Sequence, residues 1–390
     1  MRTQVGIVGA GPAGLTLAHL LHLEGIDSVV LEDRSREYVE ARIRAGVLEQ
    51  GTADLLREAG VGERMQREGI VHRGIYLQFD GERHHLAFDE LTGKSIVIYG
   101  QTELVKDLIE ARLAAGRPLL FEVEDVSVHE LLSDRPHIRF RHDGADHDLE
   151  CDVIAGCDGF HGICRPSIPA GVLREFSRDY PYGWLGILAQ APVSSDELVY
   201  AHNESGFALL SLRTPELGRL YLQCRPDEDL AAWSDERIWA ELQARLGLPG
   251  WTLVEGPVLE KGVTGMRSYV VEPMQYGNLF LGGDAAHIVP PTGAKGLNLA
   301  IRDVRVLAEA IVDSYRTGSR TSLDDYSERC LRRVWRCEHF SWWMTSMLHR
   351  SPDADPFELK LQLSQLRYVT TSDAARRSLA ENYVGLDLLS

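Results

Sequence analysis

The sequence predicts an α/β fold with α+β elements, and three observations support this. An apolar strand, a glycine-rich turn and an apolar-periodic helix open the chain, which is typical of a β-α-β unit. Short alternating runs over about 182–267 predict an inserted β-sheet domain, and helices are predicted beyond Lys295. The expected divisions are 1–175 with 267–340 for the first domain, 176–266 for the inserted sheet and 341–390 for a helical C-terminal region.

The turn after the first strand predicts a dinucleotide site. Gly9, Gly11 and Gly14 have G-x-G-x-x-G spacing, which lets backbone amides at a helix N-terminus approach a pyrophosphate. Glu32 ends the next predicted strand, where its carboxylate can accept hydrogen bonds from ribose hydroxyls. We therefore expect this unit to bind FAD or NAD.

A second segment, 283–298, follows a short apolar strand and leads into a helix. With the glycine motif, it indicates that two distant segments hold one long cofactor. Arg42 and Arg44 precede a helix-like run, 47–59, and can clamp a diphosphate; a solvated cationic turn is the alternative. Thr102 is a candidate cap for the helix predicted from Gln101.

Composition excludes several kinds of partner. Lys and Arg number 41 against 58 Asp and Glu, a formal net charge of −17 that argues against nucleic acid and anionic membranes. The six cysteines include no C-x-x-C pair and are expected to be reduced. No apolar run has the length of a membrane span. We expect a soluble, cytoplasmic protein with no metal.

The inserted sheet offers a candidate substrate surface. Ser211 and Arg213 alternate on one predicted strand, and Arg219, Tyr221 and Gln223 alternate on the next. Because alternate side chains share a face, a hairpin can gather these groups on a surface that suits an aromatic acid. The alternative is a face open to solvent, as is common for one side of an antiparallel sheet.

Two local patterns bear on the architecture. Asp143 and Gly144 predict the turn of a hairpin within 137–154. Helices are predicted at 297–311 and 323–350, and the second contains an aromatic cluster at 340–344. We expect this cluster to lie in a subunit interface.

These segments resemble the class A flavoprotein aromatic hydroxylases over essentially the whole chain. The wider family usually has serine where this chain has Gly162, but the members that act on 4-hydroxybenzoate resemble it in having glycine. The segments that carry the resemblance are Gly9 to Gly14 with Glu32, 42–50, 157–162 with Arg165, 283–298 and 381–385.

The resemblance implies a Rossmann-like FAD domain, an inserted substrate sheet and C-terminal helices that help to form a homodimer. It implies roles for cofactor-site residues. These are Glu32 at the adenosine ribose, Arg42 and Arg44 at the diphosphate, Gln101 along the flavin, Asp284 at the ribityl chain, the amides of Leu297 and Asn298 at the flavin pyrimidine edge, and Arg219 as an influence on flavin position.

The implied reaction converts 4-hydroxybenzoate to 3,4-dihydroxybenzoate with NAD(P)H and O2, through a flavin C4a-hydroperoxide. Arg213 would pair with the substrate carboxylate, with Ser211 and Tyr221 as further donors. Tyr200 would contact the 4-hydroxyl.

The substrate proton is expected to leave along a relay. From Tyr200 it would pass to Tyr383 and then towards His72, which can exchange it with solvent. The carbonyl of Pro291 can accept the same proton.

Coenzyme preference is expected to depend on the segment after Glu32. Relatives that use NADPH resemble one another in having a basic residue there, whereas this chain has Asp33 and then Arg34. Asp33 would repel a 2′-phosphate, so we expect a preference for NADH or acceptance of both coenzymes. The residues expected near NAD(P)H are Asp33, Arg34, Tyr38, Arg42, Arg44, His161 and Arg267.

Two other functions stay open on the sequence. One is a flavin hydroxylase of another phenolic acid, such as 3-hydroxybenzoate, and the other is a non-catalytic FAD-binding protein. The combined set of substrate and relay residues argues against both. A disulfide flavoreductase is disfavoured because no closely spaced cysteine pair lies near a flavin motif.

Overall fold

The computed structural model describes residues 1–42, 46–192 and 194–385. Within these ranges the strands are β1 (Val5–Val8), β2 (Ser28–Leu31), β3 (Val47–Glu49), β4 (Ile70–His72), β5 (Gly74–Phe79), β6 (Glu82–Ala87), β7 (Ile96–Ile98), β8 (Leu119–Leu120), β9 (Glu124–His129), β10 (His137–His142), β11 (Ala145–Glu150), β12 (Val153–Gly156), β13 (Arg174–Ala189), β14 (Val199–Ala201), β15 (Ala208–Thr214), β16 (Leu217–Cys224), β17 (Val258–Glu272), β18 (Gln275–Tyr276), β19 (Leu279–Leu281) and β20 (His287–Ile288). The α-helices are α1 (Pro12–Leu23), α2 (Arg36–Ala41), α3 (Gln50–Glu58), α4 (Glu63–Glu68), α5 (Phe88–Thr92), α6 (Gln101–Ala114), α7 (Asp235–Leu246), α8 (Gly296–Thr317), α9 (Thr321–Asp324), α10 (Tyr326–Leu348), α11 (Pro356–Thr371) and α12 (Asp373–Val384).

One sheet has six strands, in the order β18, β19, β12, β1, β2, β8. All neighbours pair in parallel except β18, which is antiparallel at one edge. Every residue of β1 and β2 is buried, as expected for parallel strands covered on both faces. Helix α1 packs against α6 and α8. This arrangement confirms the predicted fold class.

A second sheet has eight strands, in the order β20, β17, β13, β16, β15, β14, β5, β6. Strands β5 and β6 come from outside the predicted range 176–266 and extend the sheet beyond β14. Helix α7 was not predicted within this range. Its start signal is present in the sequence, because Ser234 caps the helix and Asp235 and Glu236 occupy the first turn.

Two local predictions were wrong and one was confirmed. The run 47–59 is not one helix, because β3 pairs with β7 and α3 begins only at Gln50; tertiary pairing overrides the local pattern. Thr102 does not cap α6, and its hydroxyl instead donates to the carbonyl of Arg42 at 3.0 Å. Asp143 and Gly144 do form the turn between β10 and β11.

The eight-stranded sheet is covered on both faces. Ala208 and Leu210 of β15 belong to a hydrophobic core shared with α7. Phe207 and Leu209 belong to a second core, on the opposite face, shared with α10, α11 and α12. The C-terminal helices therefore cover the face that carries the candidate substrate residues, and the alternative of an open face is wrong.

The aromatic cluster of α10 contributes to this second core. Phe340 and Met344 are buried there, so the expectation of a subunit interface was wrong for these two side chains; Trp342 is 39% exposed. Among the residues that the structure describes, no helix is both long and apolar enough to cross a membrane.

Candidate active site

The first glycine turn exposes backbone amides. Gly9 has a φ of +103°, and a Cβ at Gly14 would lie 2.0 Å from the carbonyl oxygen of Gly9, so both positions require glycine. A Cβ at Gly11 would meet no atom within 4 Å, which leaves this side of the turn accessible to a ligand. Helix α1 follows without a side-chain cap, and its first amides suit an anion.

Glu32 lies beside this turn at the end of β2. Its carboxylate accepts the N–H of Ala10 at 2.7 Å and the N–H of Arg34 at 3.0 Å. Burial, with a smaller contribution from Asp33, raises the pKa of Glu32 to about 7, whereas the two backbone hydrogen bonds oppose the rise. A half-buried acceptor at this position fits a contact with a ribose.

The second glycine segment lies against the first. Gly283 has a φ of +64°, and a Cβ there would lie 3.1 Å from the Cβ of Ala300 in α8 and 3.6 Å from the Cβ of Ala13 in α1. Helix α8 also begins without a side-chain cap. Two uncapped helix N-termini side by side form a cradle for a pyrophosphate, so the residues present fit FAD. Asp284 is exposed on the same loop.

Asp158 and Arg165 support the cradle from a neighbouring loop. A Cβ at Gly162 would lie 2.0 Å from the carboxyl carbon of Asp158, which gives a physical reason for glycine where the wider family has serine. The carboxylate of Asp158 accepts the N–H of Cys164 at 2.8 Å. Arg165 donates to the carbonyls of Phe160 and Ala285, and so ties this loop to the second glycine segment.

The other predicted cofactor residues are only partly described. Arg44 lies outside the described residues. Arg42 follows α2 and is exposed, while Gln101 is the first residue of α6. Leu297 and Asn298 lie in the first turn of α8, but the side chain of Asn298 bonds to backbone groups of β3, so only its amide remains for a cofactor.

The predicted substrate residues share the face covered by the C-terminal helices. Ser211 on β15 is buried and lies opposite Arg219 on β16. Tyr221 on β16 and Tyr200 on β14 flank a common residue of β15, so four side chains from three strands meet here. The register of the sheet therefore brings together groups that are far apart in the sequence.

Two guanidinium groups lie on this face. Burial lowers the pKa of Arg213, and the like charge of Arg219 acts in the same direction. The Nε of Arg219 donates to the hydroxyl of Tyr221 at 3.4 Å. A Cβ at Gly186 would lie 3.0 Å from Nη2 of Arg219, so glycine makes room for this side chain. Neighbouring cations in a partly buried site suit an anionic ligand.

Tyr200 and Tyr383 form a direct pair. Their hydroxyl oxygens lie 2.6 Å apart in the interior, although the residues are 183 positions apart in the chain. Burial raises the pKa of both hydroxyls, that of Tyr383 well above its ordinary value. Both hydroxyls therefore stay protonated near neutral pH, and neither acts as a base on its own. The pair can pass a proton only along its hydrogen bond.

A buried ion pair that was not predicted holds Tyr383. Lys295 donates to Glu49 at 2.6 Å and to the carbonyl oxygen of Tyr383 at 2.8 Å. Arg333 donates to the second oxygen of Glu49, where a Cβ at Gly385 would lie only 2.0 Å away. Lys295 and Glu49 both belong to the segments that carry the resemblance, but spacing alone gives no sign that they meet.

Pro291 begins a single 3-10 turn ahead of α8. Its carbonyl accepts the N–H of Ala294 at 2.9 Å and keeps a second lone pair for another donor. Ala294 has a φ of +53°, an uncommon conformation for a residue with a side chain. Thr345 of α10 donates to Thr292 at 2.8 Å and holds the turn in place.

His72 is completely buried at the end of β4. Neither of its ring nitrogens has a hydrogen-bond partner among the described residues, so the structure does not join it to Tyr383. No part of the His72 side chain reaches the surface, and its exchange of a proton with solvent stays a prediction.

The residues expected near NAD(P)H lie in two groups. Asp33 and Arg34 form an exposed pair at 3.5 Å, and the guanidinium of Arg34 lies 5.5 Å from the ring centre of Tyr38. Arg267 donates to Asp179 at 2.8 Å, and His161 is exposed. No group of potential metal ligands occurs in the described ranges.

Comparisons with known proteins agree with this geometry. A family profile described as FAD binding domain matches residues 2–341. The p-hydroxybenzoate hydroxylase of Acinetobacter baylyi is 47% identical over 388 residues, which cover 99% of this chain and 96% of that protein. The 6-methylpretetramide 4-monooxygenase of Streptomyces rimosus is 25% identical over 83% of this chain and 58% of that protein.

Among solved structures, a p-nitrophenol 4-monooxygenase from Pseudomonas putida has a TM-score of 0.84 at 19% identity, over 99% of this chain and 100% of that one. This likeness shows the fold. The family profile and the Acinetobacter relative confirm the predicted flavoprotein class and the FAD cofactor. The chain therefore belongs to the FAD binding domain family, as an FAD-dependent aromatic hydroxylase.

Proposed function

We propose that this enzyme hydroxylates 4-hydroxybenzoate to 3,4-dihydroxybenzoate and consumes NAD(P)H and O2. The observation that carries the proposal is that the strand with Arg213 pairs with the strand that carries Tyr200, whose hydroxyl is bonded to that of Tyr383. The name of the Acinetobacter relative supports the same substrate.

Each side chain of this face has a part in the proposal. Arg213 binds the substrate carboxylate, and Ser211 and Tyr221 add hydrogen bonds. Tyr200 accepts the phenolic proton of the substrate as it releases its own proton to Tyr383. Loss of the phenolic proton makes the substrate ring more nucleophilic. The carbonyl of Pro291 is a second acceptor for the same proton. The C-terminal helices exclude water from this face.

Cofactor contacts follow the two glycine segments. The amides at the starts of α1 and α8 hold the pyrophosphate and the flavin edge, and Glu32 holds the ribose. Asp284 binds the ribityl chain, and Arg219 influences the position of the flavin. Bound FAD supplies the chemistry that activates oxygen.

The deciding experiment measures NADH and NADPH oxidation with 4-hydroxybenzoate, 3-hydroxybenzoate or no aromatic acid, and identifies the product. We expect rapid oxidation only with 4-hydroxybenzoate and formation of 3,4-dihydroxybenzoate. Faster, coupled turnover of 3-hydroxybenzoate would favour the alternative substrate. Absence of NADH and NADPH oxidation under all three conditions would favour a non-catalytic FAD-binding protein.

The proposed coenzyme is NADH, or both coenzymes without strong preference. Support comes from the exposed carboxylate of Asp33, which would face the 2′-phosphate of NADPH; Arg34 beside it can offset part of this repulsion. We expect Asp33→Arg to raise kcat/KM for NADPH relative to NADH. A wild-type preference for NADPH above about tenfold would contradict the proposal.

We also propose a homodimer, in keeping with the predicted cytoplasmic enzyme. Phe357, Leu361 and Tyr368 are spaced along one face of α11 and are 71%, 56% and 55% exposed. An apolar stripe of this kind suits a second copy of the chain. Sedimentation of the wild type and of Phe357→Glu with Leu361→Glu tests this, because only the wild type should sediment as a dimer.

A further inference from the structure

His349 directly follows α10, and its side chain is buried in a single tautomer. Its Nδ1 lies 3.1 Å from the carbonyl oxygen of Thr345, and its Nε2 lies 2.7 Å from the indole Nε1 of Trp184. A carbonyl only accepts and an indole N–H only donates, so the imidazole carries its hydrogen on Nδ1 and accepts at Nε2. Burial lowers the pKa of His349 to about 3, which keeps the ring in this neutral form.

The surroundings of His349 fix the position of its ring. Phe207 and Tyr182 stack on the imidazole, with ring centres 4.3 Å and 5.0 Å away. Gln362 of α11 donates to the backbone carbonyl of His349 at 2.7 Å. The imidazole therefore presents a rigid hydrogen-bond acceptor to Trp184.

Trp184 connects this acceptor to the proposed substrate residues. It is buried in the core shared with α10, α11 and α12, and its ring centre lies 4.8 Å from that of Tyr221. Gly186 lies opposite Tyr221 in the pairing of β13 with β16, and Trp184 is two residues away on the same face. A Cβ at Gly186 would lie 3.3 Å from Cε1 of Tyr221. The Tyr221 ring is therefore held between the indole and the backbone of β13.

We infer that His349 is a positioning residue for substrate binding, an inference that rests on the proposed function. By accepting the indole N–H it fixes Trp184 against Tyr221, whose hydroxyl is proposed to bond the substrate carboxylate. Loss of this acceptor leaves a buried N–H donor unsatisfied, which favours a different orientation of the indole. Arg219 donates to the Tyr221 hydroxyl at 3.4 Å, so a shift of that ring also disturbs a neighbouring cation.

The test is a double-mutant cycle on the FAD-loaded enzyme, with the dissociation constant of 4-hydroxybenzoate measured from the change in flavin absorbance. His349→Leu has no acceptor, and we expect it to raise this constant about tenfold. In a Tyr221→Phe background, which lacks the hydroxyl, the same substitution should change the constant by less than about twofold. His349→Gln brings an amide oxygen within reach of Trp184 and should restore most of the affinity.

His202 provides the matched control. It is a second buried histidine, and its Nδ1 lies 3.1 Å from the carbonyl oxygen of Leu348 in the same turn. Among the described residues no hydrogen bond joins it to Trp184. His202→Leu should therefore bind 4-hydroxybenzoate as tightly as wild type. An equal loss of affinity in His202→Leu and His349→Leu would assign the effect to the turn and overturn the inference.

The outcomes separate this inference from the proposed function. A wild type that does not hydroxylate 4-hydroxybenzoate would remove the proposed function and the inference with it. An active wild type with equal effects of His349→Leu in both backgrounds would overturn only the positioning role. If His349→Leu does not fold, Trp184→Phe decides, because it keeps an aromatic ring but loses the indole N–H. We expect weaker binding in that variant, and unchanged affinity would contradict the inference.

Discussion

The cofactor side of the site is formed mainly by backbone, whereas the substrate side is formed by side chains from strands that are distant in sequence. At Gly14 and Gly283, glycine lets helix N-termini and neighbouring chain segments come close together. At Ser211 and Tyr221, sheet register decides which side chains meet. A backbone site is recognisable from residue spacing, but a side-chain site requires knowledge of which strands are neighbours.

The largest effect is expected on the substrate side. Arg213→Ala should raise the dissociation constant of 4-hydroxybenzoate about a hundredfold, since each charge-assisted hydrogen bond contributes about 1.5–3 kcal/mol. FAD should stay bound, because no glycine turn is altered. Equilibrium titration with 4-hydroxybenzoate measures this. Arg225→Ala, an exposed arginine paired with Asp227, is the control, and equal affinity in both variants would refute the role of Arg213.

A change on the cofactor side should lower the affinity for FAD rather than the affinity for substrate. Gly11→Ala places a methyl group where the structure has free space, so the apo-protein should unfold at the same temperature as wild type. We expect FAD affinity to fall about tenfold, because the methyl group occupies the approach of the pyrophosphate. Calorimetric FAD titration checks this, with Gly51→Ala in α3 as the control. Unchanged FAD affinity would show that this side of the turn does not contact the cofactor.

The hydroxyl pair should affect chemistry rather than binding. Tyr200→Phe removes the group 2.6 Å from the Tyr383 hydroxyl, so the phenolate forms less readily and hydroxylation slows about tenfold. More NADH should be consumed than product formed, which chromatography and absorbance measure together. Tyr182→Phe, another buried tyrosine, is the control. Fully coupled turnover at the normal rate in Tyr200→Phe would exclude the relay.

The last effect is on stability rather than on binding or turnover. His349 is buried; its Nε2 accepts the N–H of Trp184 at 2.7 Å, and burial lowers its pKa to about 3. Unfolded histidine takes up a proton below about pH 6.5 and folded His349 does not, so the unfolding free energy should fall with pH by up to about 1.4 kcal/mol per unit. Urea unfolding of wild type and His349→Gln should be measured between about pH 3 and pH 6.5. The slope of the unfolding free energy against pH should be shallower in the variant. Equal slopes would show that groups other than His349 cause the loss of stability at low pH.

Local patterns predicted much of the cofactor side. Gly9 and Gly14 need glycine for reasons that their spacing already indicates, and Glu32 lies at the end of the second strand, as predicted. The substrate residues were predicted to share a face, but the cover over that face comes from C-terminal helices that no local pattern connects to it. Glu197 likewise accepts the N–H groups of Arg73 and Gly74 across more than a hundred positions, a contact that spacing cannot reveal.

The two covered faces of the eight-stranded sheet bear on how the substrate range of this enzyme can change. Along β15, Leu209 belongs to the core shared with the C-terminal helices, and the proposed substrate residues Ser211 and Arg213 follow it at two-residue spacing. Ala208 and Leu210 belong to the core with α7. A substitution at an odd-numbered position alters recognition and leaves the opposite core intact. A one-residue deletion moves the odd-numbered and even-numbered side chains of β15 to the opposite faces, which disrupts both faces. Variant libraries should therefore randomise alternate codons of this strand at fixed length, because neither insertion nor deletion offers a route to a new substrate here.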